Sequence, residues 1–165
     1  MKILILGAGK MGSFFTDLLS FEHEVAVLES DPKRMRFIYN ALRLQKPEEV
    51  AEFKPELVIN CVTLSYTIEA FKSVMPYLQP YCIISDIASV KTHLKEFYET
   101  CGFPYVSTHP MFWSDIRQFG TTGERKYDHY LRRGIIWEKI FFKDIYSSLR
   151  LHICEYTFEE HDKVV

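Results

Sequence analysis

The feature that most constrains this chain stands at its start. An apolar run, Ile3 to Leu6, leads at once into Gly7-Ala8-Gly9-Lys10-Met11-Gly12, and then into Phe14, Phe15, Leu18 and Leu19 at helical spacing. A buried strand that turns through G-x-G-x-x-G into an amphipathic helix admits few folds, because each glycine has its own task. Gly7 permits a tight turn, Gly9 lets backbone approach a diphosphate with no Cβ in the way, and Gly12 lets the helix pack closely on the strand. The amides of the first helical turn then face the phosphates, so Ala8, Lys10 and Met11 join the three glycines as expected dinucleotide-binding residues. Glu29 closes the second apolar run, Val25 to Leu28, about 20 residues further on, where a carboxylate accepts hydrogen bonds from adenosine ribose hydroxyls. The same carboxylate repels a 2′-phosphate, so the expected cofactor is NAD, with Lys33 and Arg34 as the groups that would serve NADP instead. A glycine-rich turn in another kind of α/β protein is the competing reading.

The rhythm of the remaining chain agrees with the turn. Apolar runs at Leu57 to Val62, Cys82 to Ile84 and Tyr105 to Val106 do not alternate with polar residues, as strands buried on both faces do not. Between them lie helical stripes, Ile68, Phe71, Met75 and Leu78 stopped by Pro80, and Leu94, Phe97 and Tyr98 closed by Gly102. The expected fold is α/β: a Rossmann-type doubly wound, mostly parallel sheet with helices on both faces, filling residues 1–156. A chain of 165 residues holds one such domain. Its net charge of -2 gives no field to gather nucleic acid or an anionic membrane. The apolar run after Met1 and Lys2 is too short for a signal peptide or a membrane span, which gives a cytoplasmic expectation. Cys61, Cys82, Cys101 and Cys154 stand singly with no CxxC pair, so buried thiols and no metal are expected.

Ligands of open α/β sheets bind beyond the carboxyl ends of the strands, and two polar clusters follow apolar runs there. They are Ser85-Asp86-Ile87-Ala88-Ser89-Val90-Lys91 and Ser107-Thr108-His109-Pro110-Met111-Phe112. Together they resemble the paired signature of prephenate and arogenate dehydrogenases. The resemblance implies an NAD(P)-binding sheet followed by a helical domain that forms a homodimer. It also implies oxidative decarboxylation of prephenate to 4-hydroxyphenylpyruvate in tyrosine biosynthesis, with prephenate or arogenate as the small-molecule substrate. Carried over by motif, His109 and Ser89 are the catalytic candidates. As hydride leaves the ring carbon bearing the hydroxyl, a neutral imidazole accepts that hydroxyl's proton, and loss of carbon dioxide aromatises the ring. Ser89 would hold hydroxyl and nicotinamide in register, and it equally reads as the cap of the helix that follows. Lys91 reads as a surface residue, and His23, His93, His129, His152 and His161 as side chains satisfied locally. Two other readings stay open: a β-hydroxyacid or 6-phosphogluconate-type dehydrogenase, and a non-catalytic NAD-binding module.

One segment departs from the resemblance. Trp113 to Lys139 holds both tryptophans and four arginines, Arg117, Arg125, Arg132 and Arg133, with no helical stripe or buried-strand run until Ile135. The related dehydrogenases carry a glycine-rich stretch there, then a polar helix, an Ile-rich strand and Gly-Lys. We read the segment as translated out of frame. Trp113 has the single codon TGG, so the triplet begun one nucleotide later encodes glycine, and those following through Gly120 permit Pro, Thr, Phe, Ala, Asn and Leu in order. Tyr127, Asp128, His129 and Tyr130 have codons whose shifted triplets encode only Thr, Ile or Met, and Trp137-Glu138-Lys139 shifts to glycine followed by Lys or Arg. Read as it stands, the segment should be a poorly packed loop, with a missing or distorted strand beside His109. The alternative is a divergent basic insertion that contacts a partner.

Beyond it, Ile140 to Tyr146 resumes an amphipathic helix, Leu151 and Ile153 alternate like a closing strand, and Thr157-Phe158-Glu159-Glu160 reads as a capping box. Residues 157–165 would begin the helical domain of the resembled dehydrogenases, the rest of which is absent. A chain ending there should bind dinucleotide without turning over prephenate, because the crevice that excludes water would stay open. The nucleotide sequence tests the frame reading: the shifted triplets should spell the glycine-rich stretch and a Thr/Ile/Met run. A gene without those triplets ends it.

Overall fold

All five of those apolar runs become parallel strands in the computed structural model, which describes residues 1–111, 125–131 and 136–164. They are β1 (Lys2–Leu6), β2 (Glu24–Leu28), β4 (Leu57–Asn60), β5 (Ile83–Asp86) and β6 (Tyr105–Pro110), joined by a short β3 (Leu42–Leu44). The sheet runs β3-β2-β1-β4-β5-β6 in parallel, then continues through β7 (Arg125–Leu131), antiparallel to β6, to β8 (Leu151–Glu155), parallel to β7. Successive strands step one way from β1 to β3 and the other way from β4 to β6. The chain therefore changes direction between β1 and β4 and opens a crevice at their carboxyl ends. This is the doubly wound, mostly parallel α/β sheet expected.

Alternate residues of each central strand feed opposite faces, which is why the runs are continuously apolar. Ile3 and Ile5 pack with Phe15 and Leu19 of α1 (Lys10–Leu19) and Phe142 and Tyr146 of α6 (Ile136–Ser148). Leu4 and Leu6 face the other layer, where α4 (Thr67–Val74) supplies Phe71 and Val74 and α5 (Thr92–Thr100) supplies Leu94, Phe97 and Tyr98. The single-turn helix α2 (Pro32–Met35) joins the neighbouring strands β2 and β3, α3 (Val50–Phe53) lies on the crossover from β3 at the edge back to β4 beside β1, and α7 (Phe158–Val164) packs Phe158 beside Tyr98 and Tyr105.

Several local expectations change. Of the missing or distorted strand expected beside His109, the first alternative is overturned: β7 lies there with His109 opposite Asp128 and Ser107 opposite Tyr130. A polar segment can take that place because the unpaired N–H and C=O groups of β6 and β8 need ladder partners whatever side chains the segment carries. The rest of the anomalous stretch, residues 112–124 and 132–135, lies outside the described residues. Helix α4 ends at Val74 in a 3-10 turn containing Pro76, earlier than Pro80. Ser89 does not cap α5, whose N-cap is Lys91. The capping box at Thr157 does form, its amide donating to Glu160 Oε2 (2.8 Å) while the Glu160 amide donates to Thr157 Oγ1 (3.2 Å). Among the thiols Cys82 is buried, and burial pushes its pKa up to about 12, whereas Cys61, Cys101 and Cys154 are half-buried.

Helix α1 packs closely on the end of β1 at Gly12. A Cβ on Gly12 would stand 1.8 Å from the Gly7 carbonyl oxygen, an overlap no rotamer relieves. Replacing Gly12 by alanine should therefore cost about 1–3 kcal/mol or more, read as a lower denaturation midpoint. An unchanged midpoint would contradict the packing described.

Candidate functional site

The glycine turn sits at the mouth of the crevice. Gly7 has φ +91°, the left-handed region open to glycine. At Gly9 an added Cβ would meet nothing within 4 Å, so this edge of the turn is open to an incoming group. The N-cap of α1 is Gly9 itself, which has no side chain to cap the helix, and the first turn of α1 meets the cleft at Gly9, Lys10 and Met11. Glu29 is held at the end of β2 by the turn: Ala8 N–H donates to Oε2 (2.8 Å) and Asp31 N–H to Oε1 (2.9 Å). Ala8 thus spends its amide on Glu29. A cleft of about 760 Å³ extends from Gly9, Lys10 and Met11 past Glu29 and Arg34 to Ser89. Beside it a cavity of about 370 Å³ shares Gly7 and Glu29 and is walled by Leu28, Val62, Tyr66 and Ala70.

The second part of the site is built on β5, β6 and α7. His109, half-buried near the end of β6, places Nδ1 3.0 Å from Nε2 of His161, which is fully buried. His161 Nδ1 lies 2.7 Å from Asp162 Oδ1. Burial foremost, then the nearby charge of Lys91 and the His161 ring, lowers the His109 pKa from its ordinary 6.5 to about 4. Burial alone would raise Asp162, but hydrogen bonds from the Thr92 and His161 side chains and from the Lys91 and Thr92 amides hold it well below the usual carboxylate range. Through those amides Asp162 caps α5, at 2.8 Å to Lys91 and 2.6 Å to Thr92.

Lys91 overturns its surface reading. Its side chain is fully buried, with Nζ donating to Asp86 Oδ1 (2.7 Å) and to the Thr108 carbonyl (2.7 Å). Asp86 Oδ2 accepts from the Tyr98 hydroxyl (2.6 Å), and burial followed by the Asp86 charge keeps that phenol protonated far above its usual range. Thr108 Oγ1 donates to the Asp86 carbonyl (3.0 Å) and lies 2.9 Å from the Tyr146 hydroxyl. A buried pair satisfied on every side is tolerable, whereas removing one partner would leave an uncompensated charge costing about 3–5 kcal/mol.

Ser89 and the glycine turn line one cleft, which no described residue of the second polar cluster lines. His109 stands on the adjacent strand, β5 and β6 being paired Asp86 to Ser107, and its nearest polar partner is His161. From sequence His161 reads as locally satisfied and Lys91 as a surface residue, Asp86 is only a member of the polar cluster after the fourth run, and Asp162 carries no role. A signal existed for Lys91 and Asp86: both lie in the cluster after the fourth run, where an aspartate ending an apolar strand needs a cation. No comparable signal marks His161, because its contact spans 52 residues.

The turn, the switch in strand order and the carboxylate ending β2 define a dinucleotide-binding type of fold. Solved structures share this fold. A Synechocystis arogenate dehydrogenase matches with TM-score 0.78 at 19% identity over 100% of this chain and 63% of its own. An A. aeolicus prephenate dehydrogenase in complex with hydroxyphenyl propionate and NAD+ matches with TM-score 0.78 at 20% identity, over 99% of this chain and 62% of its own. A Plasmodium falciparum pyrroline carboxylate reductase with NADP bound matches with TM-score 0.71 at 15% identity, over 96% and 58%. The chain thus spans about three fifths of the length of these proteins, and at such identity the likeness is one of fold. No family model and no curated protein matches the sequence. Among the described residues no helix is long and apolar enough to cross a membrane, and no group of three or more His, Cys, Asp or Glu is placed to hold a metal ion.

The depressed His109 pKa has a testable sign. The unfolded chain takes up this proton near pH 6.5 and the folded one only near 4, so the stability contributed by neutral His109 is complete above 6.5 and is lost as pH falls through that window. Proton NMR of the His109 ring should show titration well below 6.5, with Lys91, Asp86, His161 and Asp162 as its charged or titratable neighbours. A midpoint at or above 6.5 would refute the described burial.

Proposed function

We propose that this chain is the dinucleotide-binding part of an NAD-dependent dehydrogenase acting on a cyclic hydroxy acid of the prephenate or arogenate type. The observation that carries the reading is the cleft joining the start of α1, whose N-cap is the open Gly9, at one end to Ser89 at the other, with neutral His109 on the neighbouring strand. The residues fit the cofactor. The diphosphate would rest on the opening amides of α1, the adenosine ribose on Glu29, and the adenine in the apolar cavity between Leu28 and Tyr66. Bound NAD would supply the hydride acceptor.

His109 would take the proton of the substrate hydroxyl, which a neutral imidazole can do throughout the physiological range. Ser89 would orient that hydroxyl, and a helical half closing over the crevice would keep water from competing. Proteins named as prephenate and arogenate dehydrogenases share the fold, which supports the substrate class, as does the paired Ser89 and His109 signature. Because the chain spans only about three fifths of those proteins, turnover, the far wall of the substrate site, and dimerisation are assigned to a helical half. The cytoplasm is the proposed compartment.

Calorimetric titration of the 165-residue chain tests the reading. NAD+ should bind, and NADP+ should bind at least about tenfold more weakly, a difference of ~1.4 kcal/mol that Glu29→Gln should narrow. No uptake of either dinucleotide would overturn the proposed function. Steady oxidation of prephenate by this chain alone would overturn the share assigned to the helical half.

A further inference from the structure

An imidazole presents two nitrogens, and the hydrogen bond made by one decides which proton state the other offers. His109 Nδ1 is committed to His161 Nε2 at 3.0 Å, and His161 Nδ1 to Asp162 Oδ1 at 2.7 Å, so three side chains form a line from α7 into the site. The protons in that line can be placed in order. An ionised carboxylate only accepts, and Asp162 already accepts the amides of Lys91 and Thr92 and the Thr92 hydroxyl. The His161 proton therefore sits on Nδ1, its Nε2 is a lone pair, and the proton between the two rings belongs to His109 Nδ1.

We propose that His161 and Asp162 are positioning residues that hold His109 in its Nδ1–H tautomer, so that bare Nε2 is the nitrogen presented to the substrate hydroxyl. This rests on the proposed role of His109 as proton acceptor. When Nε2 gains the hydroxyl proton, the Nδ1–H bond of His109 can break as an N–H bond forms at His161 Nε2. The positive charge then moves one ring outward, to lie beside the Asp162 carboxylate. No proton is gained or lost in that transfer, and His161 is fully buried, so water does not interrupt the line. The other charges facing the pair are Lys91 at the entry to α5 and Asp86 on β5, which are bound to each other. The arrangement also gives α7 a chemical task beyond capping α5.

Nitrogen–proton correlation NMR of the imidazole rings near neutral pH reads the tautomers without cofactor or turnover. His109 and His161 should both carry their proton on Nδ1, and a scalar coupling should cross the hydrogen bond between His109 Nδ1 and His161 Nε2. His161→Phe keeps the ring and removes the acceptor, so His109 should shift to the Nε2–H form. His161→Gln restores an acceptor oxygen and should retain the Nδ1–H form. A wild-type His109 protonated on Nε2, an absent coupling, or a tautomer unmoved by phenylalanine would overturn the proposal, and the first two need no variant to fold. Dinucleotide titration of the same sample tests the proposed function separately, because the tautomer is set with or without NAD.

Discussion

The buried ion pair of Lys91 and Asp86 is the interaction on which the working end of the sheet depends. A charged ammonium with no exposed surface is stable only where acceptors surround it, and Asp86 and the Thr108 carbonyl are those acceptors. The first is the last residue of β5 and the second lies immediately before His109. One side chain therefore ties together two strand ends and the start of α5. The remaining Asp86 oxygen is taken by Tyr98, in the last turn of α5, so helix and strand cannot drift apart without breaking a charge-assisted bond. Packing alone would position these elements less sharply, since apolar contacts have no preferred direction.

The two ends of the site are held by different physics. At the glycine turn the determinant is absence of side chain: Gly12 lets α1 approach the Gly7 carbonyl, and Gly9 leaves open space. At the histidine end the determinant is two sets of polar groups that answer one another, Asp86 with Lys91, Tyr98 and Thr108, and His109 with His161 and Asp162. Glu29 belongs to both modes, because a carboxylate expected to meet a ribose also accepts the Ala8 amide and stiffens the turn beside it.

The parts of this arrangement that sequence reasoning recovered are those written locally. The turn, the strand runs and the stripes of α1 and α5 depend on neighbours within a few positions, and so did the capping box at Thr157. The three-residue β3 escaped because its exposed Leu42 and Arg43 break the buried-strand pattern. Strand β7 escaped because a ladder between two waiting edges asks little of side-chain character. Lys91 reads as a surface residue because a lysine beyond a strand is ordinarily solvated, and that expectation outweighs the one local sign against it, an aspartate ending the apolar strand nearby. His161 was beyond reach, its partner lying across the sheet end on a separate element.

Strand β8 lies at the sheet margin and pairs with β7 alone, which in turn pairs with β6. A one-residue slip along that ladder would displace β8 by about 3.3 Å and reverse which face its side chains meet. Helix α7 follows β8 after Tyr156 and Thr157, and would be carried with it away from a ring contact only 3.0 Å long. The least typical stretch of the chain thus acts as a ruler for the distance between two imidazoles.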